Sequence, residues 1–253
     1  MTAGTSVSRR SDWCRVFRPR PAADLRLLCF PQAGGAASVF HDWASRMPRS
    51  VELVAVQYAG RQDRGDEEPI ADIGTMASLV AADIEPLFDR PVAFFGHSLG
   101  ATVAFEVARR LRPRFPTPLT RLIASARTPP AQCRPRRDDV RSDADIRRYL
   151  ARAGTRSAAV IDSDELWRLT VPALRSDLRM ADSYSYVEGP PLTCPITVVA
   201  AADDPGCGLE DMRGWSAHTI GGLDEHVVPG DHYYVNAPPD ELFTVLVDVL
   251  ESR

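Results

Sequence analysis

Apolar residues fall along this chain in short, dense runs at 25–30, 51–58, 92–95, 122–126 and 196–201, each rich in branched or aromatic side chains. Runs of that length with few polar interruptions suit strands of a parallel sheet buried on both faces. Between them, apolar positions recur at helical spacing near 40–47, 75–88 and 99–111, and again at about 239–251 after Pro238-Pro239. The alternation predicts right-handed crossovers with helices on both sides of one sheet.

The rhythm breaks once. From about 138 to 187 no strand pattern appears, only helical ones such as 143–153 and 164–180, lying between two sheet strands. An inserted helical lid over the strand ends, where open α/β sheets bind ligands, accounts for this. An ordinary pair of packing helices is the alternative reading. The chain of 253 residues is expected to form one domain over 1–253, with residues 1–12 as a frayed tail and no internal repeat.

Composition narrows the chemistry. A formal charge of -4 offers no basic excess for nucleic acid. All 30 cationic side chains are arginine, so Schiff-base catalysis through lysine is excluded. The five cysteines are odd in number and scattered, without a C-x-x-C pair or Cys/His cluster, which fits a reduced, cytoplasmic setting with no metal site. Arg9-Arg10 is followed by Ser11-Asp12-Trp13 rather than an apolar export segment, and no stretch approaches the ~18 apolar residues of a membrane span.

Gly96-His97-Ser98-Leu99-Gly100 matches G-x-S-x-G, with a strand pattern before it and a helical one after it. That context is what a nucleophile elbow requires, and it predicts an α/β-hydrolase fold with Ser98 as nucleophile. The fold brings its acid and base later in the chain, in the order Ser, Asp, His. Of five histidines, His232 lies between the strand-like Val227-Val228 and the final helix, where the base belongs; His41, His97, His218 and His226 read as packing or surface residues. The acid should follow the run at 196–201, where Asp203 and Asp204 stand together; Asp204 is preferred because Pro205 fixes the backbone behind it. Asp231 reads as a turn residue. The oxyanion hole needs two backbone N–H groups, one from Leu99 and one from Ala33 or Gln32 in the loop Pro31-Gln32-Ala33-Gly34-Gly35.

Taken in order, several blocks resemble the free-standing type II thioesterases that accompany polyketide and nonribosomal peptide synthases. They are Trp13 and Phe17, Phe30 through Gly35, Val56 through Arg64, the elbow, Val171 through Asp177, Pro190 through Pro195, and Gly230-Asp231-His232-Tyr233. The Gln-Tyr-x-Gly-Arg-x-x-Arg and Leu-Arg-x-Asp blocks are the specific ones, since many hydrolases share the elbow. The chain departs from the family pattern at Ala59, where proline is usual, and at Asp231 and Tyr233, where glycine and phenylalanine are usual.

The resemblance implies hydrolysis of acyl thioesters held on the phosphopantetheine arm of an acyl or peptidyl carrier protein, by a monomer needing no cofactor. Rival readings are a carboxylesterase or lipase, an acyltransferase or cyclising thioesterase, and a catalytically dead carrier-binding relative. Leu150, Leu166, Trp167, Leu169 and Met180 are candidate walls of an acyl channel, or simply helix-packing residues. Arg134, Arg136 and Arg137 are a candidate contact for an acidic carrier protein, or a solvated loop.

Overall fold

The computed structural model describes residues 8–9, 11–111, 119–134, 142–152 and 160–252. Eight strands among them form one sheet: β1 (Ser8–Arg9), β2 (Cys14–Val16), β3 (Leu25–Phe30), β4 (Val51–Val56), β5 (Val92–His97), β6 (Leu119–Ser125), β7 (Ile196–Ala201) and β8 (Leu223–Val228). Their order is β1-β2-β4-β3-β5-β6-β7-β8. The pairs β1–β2 and β2–β4 are antiparallel and all the others parallel. Every residue of β3, β4, β5 and β7 is buried, because helices cover both faces.

The helices are α1 (Trp43–Arg46), α2 (Ile73–Asp83), α3 (Leu99–Arg110), α4 (Asp143–Arg152), α5 (Asp164–Ser183), α6 (Leu209–Met212) and α7 (Asp240–Glu251). Two apolar clusters divide at the sheet. Leu28, Phe30, Val54 and Phe94 pack with α2 and α3 on one face, whereas Leu27, Cys29, Phe40, Trp43 and Phe95 pack with α7 on the other. Each such aromatic or aliphatic side chain contributes about 1.5–3 kcal/mol when fully buried, so this layered core fixes the sheet on which the loops are mounted.

Several boundaries differ from the sequence pattern for physical reasons. The run at 40–47 forms a 3-10 turn at Ala37–Phe40 and the single turn α1 instead of one helix. The helix expected at 75–88 starts at Ile73, capped by Asp72 accepting from the Thr75 amide at 2.6 Å, and stops at Asp83 ahead of Pro86. In β8 only Val227-Val228 has an apolar signature, because this edge strand turns Asp224 and Glu225 to solvent. The expected tail is corrected at its inner end. Ser8 and Arg9 pair with Val16 and Arg15, and Ser11 Oγ accepts from the Cys14 amide at 3.0 Å; residues 1–7 and 10 lie outside the described residues.

Between β6 and β7 the described residues contain helices and no strand. Ile146, Leu150, Val171, Leu174, Leu178 and Met180 from α4 and α5 join the same apolar cluster as Phe30 and Leu99. The insertion is thus seated on the core beside the carboxyl ends of the strands. β4 and β5 flank β3 on opposite sides, so the chain reverses its direction of winding between β3 and β5. A crevice opens beyond the carboxyl ends of strands at such a reversal, and here the loops that leave Phe30 and His97 meet there, with Phe30 in register with Gly96.

Candidate active site

Ser98 occupies the single residue between β5 and α3. Its backbone is held at φ 52 and ψ −120, a left-handed conformation that costs a non-glycine residue on the order of 1–3 kcal/mol. The tightness of the turn explains its glycines. A β-carbon on Gly96 would lie 2.4 Å from the Gly100 carbonyl oxygen, and one on Gly100 would lie 2.2 Å from the Phe30 carbonyl oxygen. The turn therefore nests directly against the end of β3, and Ser98 stands half-buried at the first turn of α3, whose free amides favour negative charge.

The structure brings His232 and Asp204 to this serine. His232 Nε2 lies 3.0 Å from Ser98 Oγ, and Nδ1 lies 2.6 Å from Asp204 Oδ2. With Asp204 ionised, Nδ1 donates to it, leaving Nε2 to accept the Ser98 hydroxyl proton. The Asp204 side chain is buried, 2% exposed, while Asp203 is exposed. Burial by itself raises the Asp204 pKa, but hydrogen bonds from His232 and from the Gly206 amide at 2.8 Å outweigh it and hold the carboxyl below its ordinary range. The turn after β7 and the loop after β8 are tied together by parallel strands: Ala201 is in register with Val228, and the Asp203 amide donates to the Gly230 carbonyl at 2.9 Å. Asp231 serves as a turn residue, accepting from the Tyr233 amide at 2.8 Å.

His97 is more than packing. It is fully buried, and burial, together with repulsion from His232, pushes its pKa down to about 3, so the ring is neutral. Its Nε2 donates to the His232 carbonyl at 2.7 Å, because a carbonyl can only accept; Nδ1 then accepts from Ser125 Oγ at 2.7 Å, and Ser125 in turn takes a close hydrogen bond from the Tyr234 hydroxyl. A chain of neutral donors thus pins the backbone of the residue that carries the imidazole. Nothing in the sequence marks this role, since the second position of G-x-S-x-G tolerates many side chains.

The loop after β3 faces the serine turn across the crevice. Within it the Gly35 amide donates to the Gln32 carbonyl at 2.9 Å and the Gly34 amide to Asp177 Oδ2 at 2.8 Å. The N–H of Ala33 has no hydrogen-bond partner among the described residues, and Leu99 opens a helix whose first amides lack intrahelical acceptors. Beside this loop is a cavity of about 240 Å³, lined by Gln32, Ala33, Leu150, Val160, Leu174 and Tyr233 among others.

Of the five candidate wall residues, Leu150 lines that cavity. Met180 is buried in the core, and Trp167 lies under the Arg147 guanidinium, 4.2 Å from the ring centre. Leu166 and Leu169 are corrected: at 41% and 68% exposure they face solvent on the outer side of α5. Arg134 is exposed, and Arg136 and Arg137 lie outside the described residues. All five cysteines are free thiols, and among the described residues there is neither a His/Cys/Asp/Glu group suited to a metal nor a helix long and apolar enough to cross a membrane.

Against known proteins, residues 25–251 match the family described as "Thioesterase domain". The chain is 38% identical over 249 residues to a probable cadicidin biosynthesis thioesterase of Streptomyces griseus, covering 98% of this chain and 68% of that protein. It is 39% identical over 243 residues to thioesterase PikA5 of Streptomyces venezuelae, covering 94% and 85% respectively. Among solved structures, the type II thioesterase BorB from the borrelidin biosynthetic cluster superposes with a TM-score of 0.83 at 35% identity, covering 96% of this chain and all of that one.

Proposed function

This chain belongs to the thioesterase domain family, and from that premise we propose that it hydrolyses acyl groups from the phosphopantetheine arm of acyl or peptidyl carrier proteins, clearing unwanted units from a polyketide or nonribosomal peptide assembly line. The observation that carries the chemistry is the continuous relay from Ser98 Oγ through His232 to Asp204, at 3.0 and 2.6 Å. The assignment to biosynthetic assembly lines draws on relatives named for cadicidin and borrelidin biosynthesis.

In this reading Ser98 Oγ attacks the thioester carbonyl while His232 Nε2 takes its proton, and Asp204 stabilises the resulting imidazolium. The carbonyl oxygen becomes an oxyanion held by the Leu99 and Ala33 amides. The tetrahedral intermediate collapses by breaking the carbon–sulfur bond, and His232 returns the proton to the departing thiolate. A thiol of pKa ~8.5 leaves readily, so less is asked of the histidine than in amide cleavage. Water, deprotonated by His232, then attacks the acyl-serine ester, and the second collapse releases the free acid and restores Ser98.

A direct test compares kcat/KM for a carrier-bound acyl thioester, the matching acyl-N-acetylcysteamine and a p-nitrophenyl ester, with products identified by mass spectrometry. The carrier-bound substrate is expected to be preferred and to yield the free acid. Preference for the oxygen ester would make the protein a carboxylesterase, and an amide or macrocyclic product would make it an acyltransferase.

A further inference from the structure

The helix that covers the crevice also grips the loop beneath it. Asp177, on α5, is completely buried and forms a two-pronged ion pair with Arg61, Nη1 to Oδ2 at 2.6 Å and Nη2 to Oδ1 at 2.7 Å. Both partners reach past each other to the loop after β3. Asp177 Oδ2 accepts from the Gly34 amide at 2.8 Å, and Arg61 Nη1 donates to the Gly35 carbonyl at 2.9 Å.

Leu174, one turn earlier on the same face of α5, covers Gly34 so closely that a β-carbon there would lie 3.0 Å from Leu174 Cδ1. From the other side Gln57 accepts from the Ala37 amide at 2.8 Å and donates to the Arg61 carbonyl at 3.0 Å. Loop, arginine and helix are therefore one hydrogen-bonded body. Ala33, immediately before Gly34, has the amide assigned above to the oxyanion.

We propose that Asp177 and Arg61 are positioning residues for the oxyanion hole, so that the Ala33 amide is aligned only while α5 is docked. The proposal rests on the serine-hydrolase reading of Ser98, His232 and Ala33. Its physical basis is that a charge-assisted bidentate pair fixes both distance and plane, and that a donor displaced by about 1 Å from a developing oxyanion forfeits on the order of 10²-fold in rate. Docking of α5 and assembly of the hole are then a single event, and a substrate that props the helix away also disables the catalyst.

The test uses the full chain and two ligands: an acyl-pantetheine trifluoromethyl ketone, to whose carbonyl carbon Ser98 Oγ adds reversibly to give a tetrahedral oxyanion, and a thioether analogue in which a methylene replaces the carbonyl. In Asp177→Asn, kcat for an acyl-N-acetylcysteamine and affinity for the ketone are expected to fall by the same factor, on the order of 10². KM and thioether affinity should stay within about threefold.

Wild-type ketone affinity and kcat in a folded Asp177→Asn would overturn the proposal, as would equal loss of ketone and thioether binding. Failure of the wild-type protein to bind the ketone would instead defeat the underlying serine-hydrolase reading. Should Asp177→Asn not fold, Arg61→Lys, which keeps the cation and loses the second prong, is read in the same way. Hydrogen exchange of the wild-type protein gives a further measure: segments 33–37 and 171–178 should gain protection together when the ketone binds, and protection of one without the other would refute the coupling.

Discussion

The serine turn and the loop opposite it are built on different principles, although they lie side by side at the ends of β5 and β3. The turn is held by contiguous backbone: a strand, one residue at φ 52, a helix, and glycines that let it settle on Phe30. The loop 31–35 is held from a distance, by an ion pair whose partners stand 116 residues apart in sequence and by a helix from the insertion. The first arrangement is packed backbone against backbone, with no room for a β-carbon at Gly96 or Gly100. The second is held by contacts to a separate element, α5, on which the proposed alignment of the Ala33 amide depends.

The contrast can be broken on the turn side first. Ser98→Ala should reduce thioester turnover by 10⁴-fold or more, on the order found when one member of a coupled triad is removed, with the melting temperature little changed; calorimetry and a thiol-release assay check the two halves. Next, Asp204→Asn should lower kcat by about 10⁴-fold by favouring the wrong imidazole tautomer, whereas Asp203→Asn, at an exposed position, should leave it near the wild-type value. The reverse order would move the acid to Asp203.

A steric probe of the same turn is Gly100→Ala, whose β-carbon would sit 2.2 Å from the Phe30 carbonyl oxygen. Overpacking at a site with no slack should destabilise by about 3 kcal/mol, seen as a melting temperature lower by roughly 6–12 °C, with activity lost alongside. A melting temperature within a degree of the wild type would mean that the turn is looser than its geometry implies.

The smallest effect concerns His97 and acidity. Its folded pKa lies near 3 against an ordinary 6.5, so between those values the unfolded chain binds the extra proton and the folded chain does not. Stability from this group is complete above pH 6.5 and is lost as pH falls towards 3. His97→Gln should flatten that part of the denaturation-versus-pH curve relative to wild type. An unchanged slope would show that the histidine is not neutral at this position.

How much could be read from the residues follows the same division. Strands β3 and β7 were legible to the residue because both their faces are buried, which makes them continuous apolar runs. The edge strands β1 and most of β8 were not, since an edge needs no such run and β8 carries two adjacent exposed acids, and β2 was not because three residues are too few to show a pattern. The elbow was legible because its constraints are local, within five residues. Asp204 could be preferred over Asp203 only on the argument from Pro205, and their unequal burial became visible when β7 and β8 were paired. Leu166 and Leu169, candidates for a channel wall or for helix packing, are exposed instead, because helical spacing gives a stripe without saying which way it turns.

The alternation of strands and helices and the tight turn at Ser98 with its glycines are written in neighbouring residues, through sterics and hydrophobic periodicity. Only the assembled fold brings Arg61 to Asp177, His97 to the His232 carbonyl, and Leu174 of α5 rather than the exposed Leu169 to the cavity wall. Those contacts depend on how distant segments are rotated and stacked around a shared core, and a partner for a buried charge or ring nitrogen is fixed only when that stacking is complete.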